Sequence, residues 1–173
     1  MMKPVTKIAL IAMLSALTFI CQVALFFLPN IHLVTLLLIL YVCLLPLSMS
    51  LAITLTFVTL NWLFWGFGDW VLGYYVIWPL FVVIAYSLRG YFQENQDYWA
   101  ILAGGFGLAF GALFTIQHIL LYGLHTGYAF WIRGLVFDIV HGVSNYIIVL
   151  LLFKPLLKIM KRLLSRLKKV QHA

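Results

Sequence analysis

Residues 31–68, IHLVTLLLILYVCLLPLSMSLAITLTFVTLNWLFWGFG, contain no Lys, Arg, Asp or Glu. An α-helix needs about 20 apolar residues to cross a ~30 Å hydrocarbon core at ~1.5 Å per residue. The run is too long for one such crossing. Pro46 and the following Ser48–Ser50 stretch are the place where it turns back, because proline breaks the helical hydrogen-bond ladder. The run is therefore predicted to form two antiparallel spans, the first of them short.

Working outward, the whole chain has the same character. Of its 173 residues, 65% are hydrophobic and 9% charged, whereas a soluble domain carries roughly 25% charged residues. No soluble core hides that much apolar side chain, so the chain reads as an integral membrane protein. Four more apolar segments are predicted to span, at about Ile8–Leu28, Trp70–Leu88, Tyr98–Leu121 and Phe130–Phe153. The predicted architecture is all-α: a compact bundle of six transmembrane helices forming one domain, residues 1–173, with both termini cytoplasmic. The N-terminal run is too long for a signal-peptide h-region and lacks an A-x-A-like site, so it reads as an uncleaved first helix.

The net charge of +7 supports this topology. Lys3, Lys7, Arg89 and the cluster from Lys154 to Lys169 fall on one side of a six-span bundle, and Arg133 on the other. That is the positive-inside pattern of a multi-pass membrane protein, not a nucleic-acid surface. In the basic tail, residues 154–173, Leu156, Met160, Leu163 and Leu167 share a stripe. It reads either as an interfacial helix on anionic lipid or as a topological anchor. Cys21 and Cys43 lie in separate apolar runs and read as small buried hydrophobes.

Polar groups interrupt the last span at FDIVHGVSNY, residues 137–146. At 100° per residue Asp138, His141 and Asn145 fall within about 60° of arc, so they share one face, predicted to turn into the bundle. Ionisable groups inside a membrane mark a functional site by default; the alternative is a hydrogen-bond network between helices. Other groups converge at the same depth: Asn30 and His32; Trp65, Asp69, Trp70, Tyr74, Tyr75 and Trp78; Gln117 and His118. The stretch YGLHTGYAFWIRG, predicted to be a loop, adds His125, Tyr128, Trp131 and Arg133. Trp70, Tyr74 and Trp78 recur every four residues as an aromatic ladder. Aromatic walls with a few placed polar groups describe a small-molecule pocket. Arg133 lies ~140° around the helix from Asp138, so His141, His118 or Gln117 is the predicted partner of that carboxylate.

Ala9, Ala12 and Ala16 share one face of the first helix, and Ala103, Gly107 and Gly111 recur on the fifth; both rows permit close helix approach. The chain has no GxxxxGK[ST], HExxH or GxSxG motif, so neither an enzymatic activity nor nucleotide hydrolysis of its own is predicted. No cofactor or metal is predicted either.

Taken together, LPNIHLVTLLLILY, WGFGDWVLGYYVIWPL, GGFGLAFGAL and FDIVHGVSNYIIVLLLFKPL make the chain resemble the substrate-binding S components of energy-coupling factor (ECF) vitamin transporters. The resemblance covers nearly the whole length. It implies a membrane subunit that captures a water-soluble vitamin from outside. It further implies delivery inward together with a transmembrane T subunit and two ATPases, as one form of ABC importer. Ala12-x-x-x-Ala16, with Ala9, matches the motif by which such subunits dock onto the T subunit. The resemblance implies that outer helix ends and loops bind the ligand. The polar and aromatic groups that converge there make Asn30, Trp65, Trp70, Tyr74, Trp78, Gln117, His118, His125, Arg133, Asp138, His141 and Asn145 the predicted contacts. The N-terminal MMKP lacks the His motif of metal-type S components, which disfavours nickel or cobalt ions. Cobalamin is the leading vitamin, with pantothenate, a pyridoxine-type compound or a thiamin precursor as alternatives. From another class, His118 and His141 as axial ligands would make a haem-binding electron carrier.

Overall fold

The computed structural model describes residues 3–172, with side chains described to residue 167. Lys168 and Lys169 of the predicted basic cluster have side chains outside that range. Six helices follow in chain order: α1 Pro4–Ala24, α2 Val34–Leu44, α3 Leu47–Trp65, α4 Trp70–Phe92, α5 Gln96–Tyr122 and α6 Leu124–His172. Among the described residues, five of them are long and apolar enough to cross a membrane, and α2 is not. The protein is all-helical, with the character of a membrane protein.

Local chemistry sets the helix ends. Pro4 opens α1 at a position where the missing N–H costs nothing. The Asp69 side chain caps α4 and that of Asn95 caps α5, each accepting from a first-turn backbone N–H. Gly66 and Gly123, both with φ of 84°, end α3 and α5, a backbone conformation open to glycine without penalty. Pro46 separates α2 from α3, as the uncharged run predicts.

α2 forms the centre. Its residues from Val34 to Val42 are all buried, and it touches each of the other five helices. A helix that is apolar on every side belongs in a core. At 1.5 Å per residue its 11 residues cover about 16 Å and the 19 of α3 about 28 Å. The two run antiparallel from the Pro46 turn, so α2 starts well below the level at which α3 ends. The connection from residue 25 to residue 33 makes up the difference: residues 26–29 stay exposed, and residues 30–33 turn inward, carrying His32 with them. At the other end of α2, Arg89 donates to the carbonyls of Val42 and Leu45 at 3.4 Å, while its guanidinium lies 3.7 Å from the Tyr86 ring centre. These are two of the carbonyls that a helix C-terminus leaves unpaired.

α5 and α6 pack most intimately. A Cβ on Gly107 would lie 2.7 Å from the backbone of Gly142, a spacing that two residues with side chains could not reach. The glycine row of α5 thus serves internal packing.

Several expected boundaries need correction. The stretch YGLHTGYAFWIRG is not a loop: Gly123 alone separates α5 from α6, and helix resumes at Leu124 rather than Phe130. A single left-handed glycine reverses the chain, so every residue after it remains free to be helical. Nor does α6 stop at Phe153; it runs through Pro155 to His172. The polar stretch RGYFQENQD is mostly helical too, with only Gln93, Glu94 and Asn95 between α4 and α5. α1 ends at Ala24 instead of Leu28, because the chain then turns into the bundle.

Candidate functional site

Most of the candidate residues gather where α5 turns into α6, referred to below as the hairpin end; the opposite end carries Arg89 and the lysines of α6. Two aromatic rows build its frame. Trp70, Tyr74 and Trp78 descend α4, and Phe106, Phe110 and Phe114 descend α5, each at a spacing of four. The rows mesh: Trp78 lies 5.4 Å from Phe106 and 5.5 Å from Phe110, and Tyr74 lies 5.9 Å from Phe114, ring centre to ring centre. Tilted and edge-on contacts of this kind contribute beyond burial alone.

Asp69 locks the top of the frame. Its carboxylate accepts from the Trp70 N–H at 3.0 Å and from the Tyr122 hydroxyl at 2.8 Å. Its backbone carbonyl accepts from Gln117 Nε2 at 2.6 Å. The start of α4 is thereby tied to the end of α5. Across the site, Asn30 takes φ of 58° and fastens the infolded connection to α6. Its Nδ2 donates to the Phe137 carbonyl at 3.0 Å, and its own carbonyl accepts from Ser144 Oγ at 3.1 Å.

Between these anchors lies a cavity of about 860 Å³, within the 300–1,000 Å³ range of small-molecule sites. Trp70, Tyr74, Phe110, Phe114, Phe130 and Phe137 give it aromatic walls, and Asp138 with Gly111 closes its floor. Exposed His125 and Arg133 stand at its rim. A smaller cavity of about 300 Å³ adjoins it, sharing Asn30, Tyr74 and Phe110, and reaches Gln22, His32, Trp65 and His141.

Asp138, His141 and Asn145 are all buried, at 6%, 1% and 1% exposure, and face the bundle interior. They do not act as one cluster. Asp138 borders the large cavity and His141 the small one. Asn145 lies beneath both, where its Nδ2 reaches the Ala103 carbonyl at 3.5 Å. The expected partner of Asp138 needs correction: Oδ1 accepts from the backbone N–H of Gly111 at 2.9 Å, not from His141, His118 or Gln117. The absence of a Cβ on Gly111 is what lets the carboxylate approach, since a Cβ there would collide with it.

The remaining predicted residues divide clearly. Asn30, Trp65, Trp70, Tyr74, His118, His125 and Arg133 border one cavity or both. Trp78 is fully buried below the rings and Gln117 is occupied with Asp69; neither borders either of these two cavities. His118 stacks on Phe130 with ring centres 3.8 Å apart, and its Nδ1 pairs with the Phe114 carbonyl. His141 instead meets His32, ring centres 4.9 Å apart. The two histidines considered as axial haem ligands therefore open onto different cavities. Among the described residues, no three His, Cys, Asp or Glu side chains gather as a metal-binding group.

Phe110, Phe114, Phe130, Phe137 and Gln22 border the cavities without having been predicted. For the first two a signal existed, because Phe106, Phe110, Phe114 and His118 repeat at the same four-residue spacing that exposes the α4 row. Gln22 has no such signal.

On α1, Ala9 and Ala12 are exposed and Ala16 is half-buried. They sit on a face that also exposes Val5, Ile8, Met13 and Ile20. Comparison with known protein families, curated proteins and solved structures finds no match for this chain.

Proposed function

We propose that this protein is the substrate-capturing S component of an ECF-type vitamin importer. The observation that carries the reading is the aromatic-walled cavity of about 860 Å³ at the hairpin end, floored by a buried carboxylate. A structural subunit has no need of such a chamber, and filling it with side chains would be more stable.

In this reading the hairpin end faces outside and the lysine-rich end faces the cytoplasm, in keeping with the positions of Arg133 and of Lys154, Lys158 and Lys161. The infolded connection and α2 together complete a sixth crossing, which places both termini in the cytoplasm of a bacterial cell. The protein is not an enzyme. A T subunit and two ATPases supply the energy, and the exposed Ala9–Ala12–Ala16 face of α1 receives the T subunit. A pyridoxine-type compound, a thiamin precursor or pantothenate fits within a cavity of about 860 Å³ with room to spare, and cobalamin is the larger candidate.

Ala12→Trp separates capture from delivery. It is expected to abolish vitamin uptake by cells while leaving equilibrium binding to the purified protein unchanged. Equal loss of uptake and binding would overturn the docking role, and unimpaired uptake would do the same.

A further inference from the structure

The charges and hydrogen bonds around the large cavity do not balance. Two carboxylates border it, Asp69 and Asp138, against one guanidinium, Arg133. Asp69 is half-exposed and engaged by the Trp70 N–H and the Tyr122 hydroxyl. Asp138 is 94% buried and holds a single hydrogen bond, from the Gly111 amide. Its Oδ2 has no partner, although an ionised carboxylate has about four acceptor positions. Arg133 does not pair with it; among the described residues the one ion pair is Lys161–Glu94, at the other end of the molecule. A carboxylate buried with one neutral partner costs several kcal/mol unless a cation or further donors meet it.

The neighbouring cavity also holds buried polar atoms without partners, Gln22 Oε1 being an acceptor and the His141 ring offering one donor and one acceptor. Gln22 Oε1, His32 Nδ1 and both ring nitrogens of His141 are buried without partners, and all three residues border that space. Asp138 and Gln22 ask for donors, and no lysine or arginine borders the small cavity. An anionic group placed beside Asp138 would face its carboxylate, with exposed Arg133 at the rim as the one guanidinium bordering that cavity. The walls agree, since Trp70 and Tyr74 border the cavity and indole and phenol rings attract a cation to their faces.

We infer that the molecule captured here presents a cationic or N–H-donating nitrogen group to Asp138, carried on a flat ring that lies against the aromatic wall. This rests on the capture reading and narrows it to amine-bearing nitrogen heterocycles, with carboxylate-headed compounds excluded from the floor. Any acidic or hydroxyl substituent of the ligand points outward, to Arg133 and His125.

The test uses the purified protein in lipid nanodiscs and titration calorimetry with four probes. Pyridoxamine and 4-amino-5-hydroxymethyl-2-methylpyrimidine carry the required group; pantothenate and cyanocobalamin serve as the contrast. One of the first two is expected to bind most tightly. Asp138→Asn, which keeps the size and an acceptor for Gly111, is expected to weaken that binding by at least about 30-fold, the lower end of what removing one partner of a buried charge pair costs. Tightest binding of pantothenate or cyanocobalamin would overturn the inference and leave capture standing, as would unchanged binding in Asp138→Asn. Absence of binding by all four would overturn both. Should Asp138→Asn fail to fold, the ranking of the probes on the unaltered protein decides alone.

Discussion

The two ends of this molecule are built from similar residues and finished differently. At the lysine-rich end polar groups are matched. Arg89 covers two carbonyls at the end of α2, the Trp99 indole donates to the Gln93 carbonyl at 2.9 Å, and Lys161 pairs with Glu94. Between them Trp99, Val149, Phe153 and Leu157 fill the interior. From Asn145 to the hairpin end the pattern inverts. Every buried side-chain atom without a partner among the described residues lies there, on Gln22, His32, Thr35, Trp78, Gln117, Asp138, His141 and Asn145. So does the large cavity. Native interiors rarely leave buried polar groups unmatched. Cavities of about 310 and 440 Å³ lie at the lysine-rich end as well, but no unmatched buried side-chain atom among the described residues borders them. The hairpin end alone keeps unmet buried groups around its open space, which is how a binding site differs from a core.

The contrast can be broken at three strengths. The largest effect is expected from Gly107→Val, because the new side chain meets the Gly142 backbone at 2.7 Å and neither helix can yield. The α5–α6 pair that carries most of the cavity should fail to assemble, read as loss of the monodisperse peak when detergent-extracted protein is chromatographed. Arg89→Ala is intermediate. Losing two long hydrogen bonds and a cation–π contact at the end of α2 should cost about 1 kcal/mol, seen as a lower thermal midpoint with ligand binding unchanged. A parallel drop in binding would mean that the two ends are coupled. Smallest is Gly105→Val, two residues from Gly107 yet with nothing within 4 Å of a new Cβ. It should leave both the chromatographic profile and the thermal midpoint as they are.

What could be read from sequence follows from which signals are local. The break at Pro46 was legible because proline acts on its own backbone. The inward face of α6 was legible because Asp138, His141 and Asn145 sit at helical spacing in an otherwise apolar run. The Gly123 reversal was not. A stretch holding His125, Thr126, Gly127 and Arg133 has the composition of a loop, and only the packing of α6 against α5 shows that one residue suffices for the turn. Phe110 and Phe114 were missed although Phe106, Phe110, Phe114 and His118 repeat every four residues: an apolar row in an apolar helix gains meaning only once Tyr74 and Trp78 are seen against it. The partner of Asp138 is a backbone amide, which no side-chain pattern announces.

The claim on which the rest depends is that the large cavity holds a small molecule. Gly134 tests it most directly, because it borders that cavity and a Cβ there meets nothing within 4 Å. Gly134→Trp should therefore project an indole into the space and obstruct it without disturbing the helices. Native mass spectrometry of protein released from nanodiscs, prepared from cells grown with vitamins, should show one bound small molecule on the unaltered protein and none on Gly134→Trp of equal thermal stability. The same adduct on both proteins, or none on the unaltered one, would contradict the account.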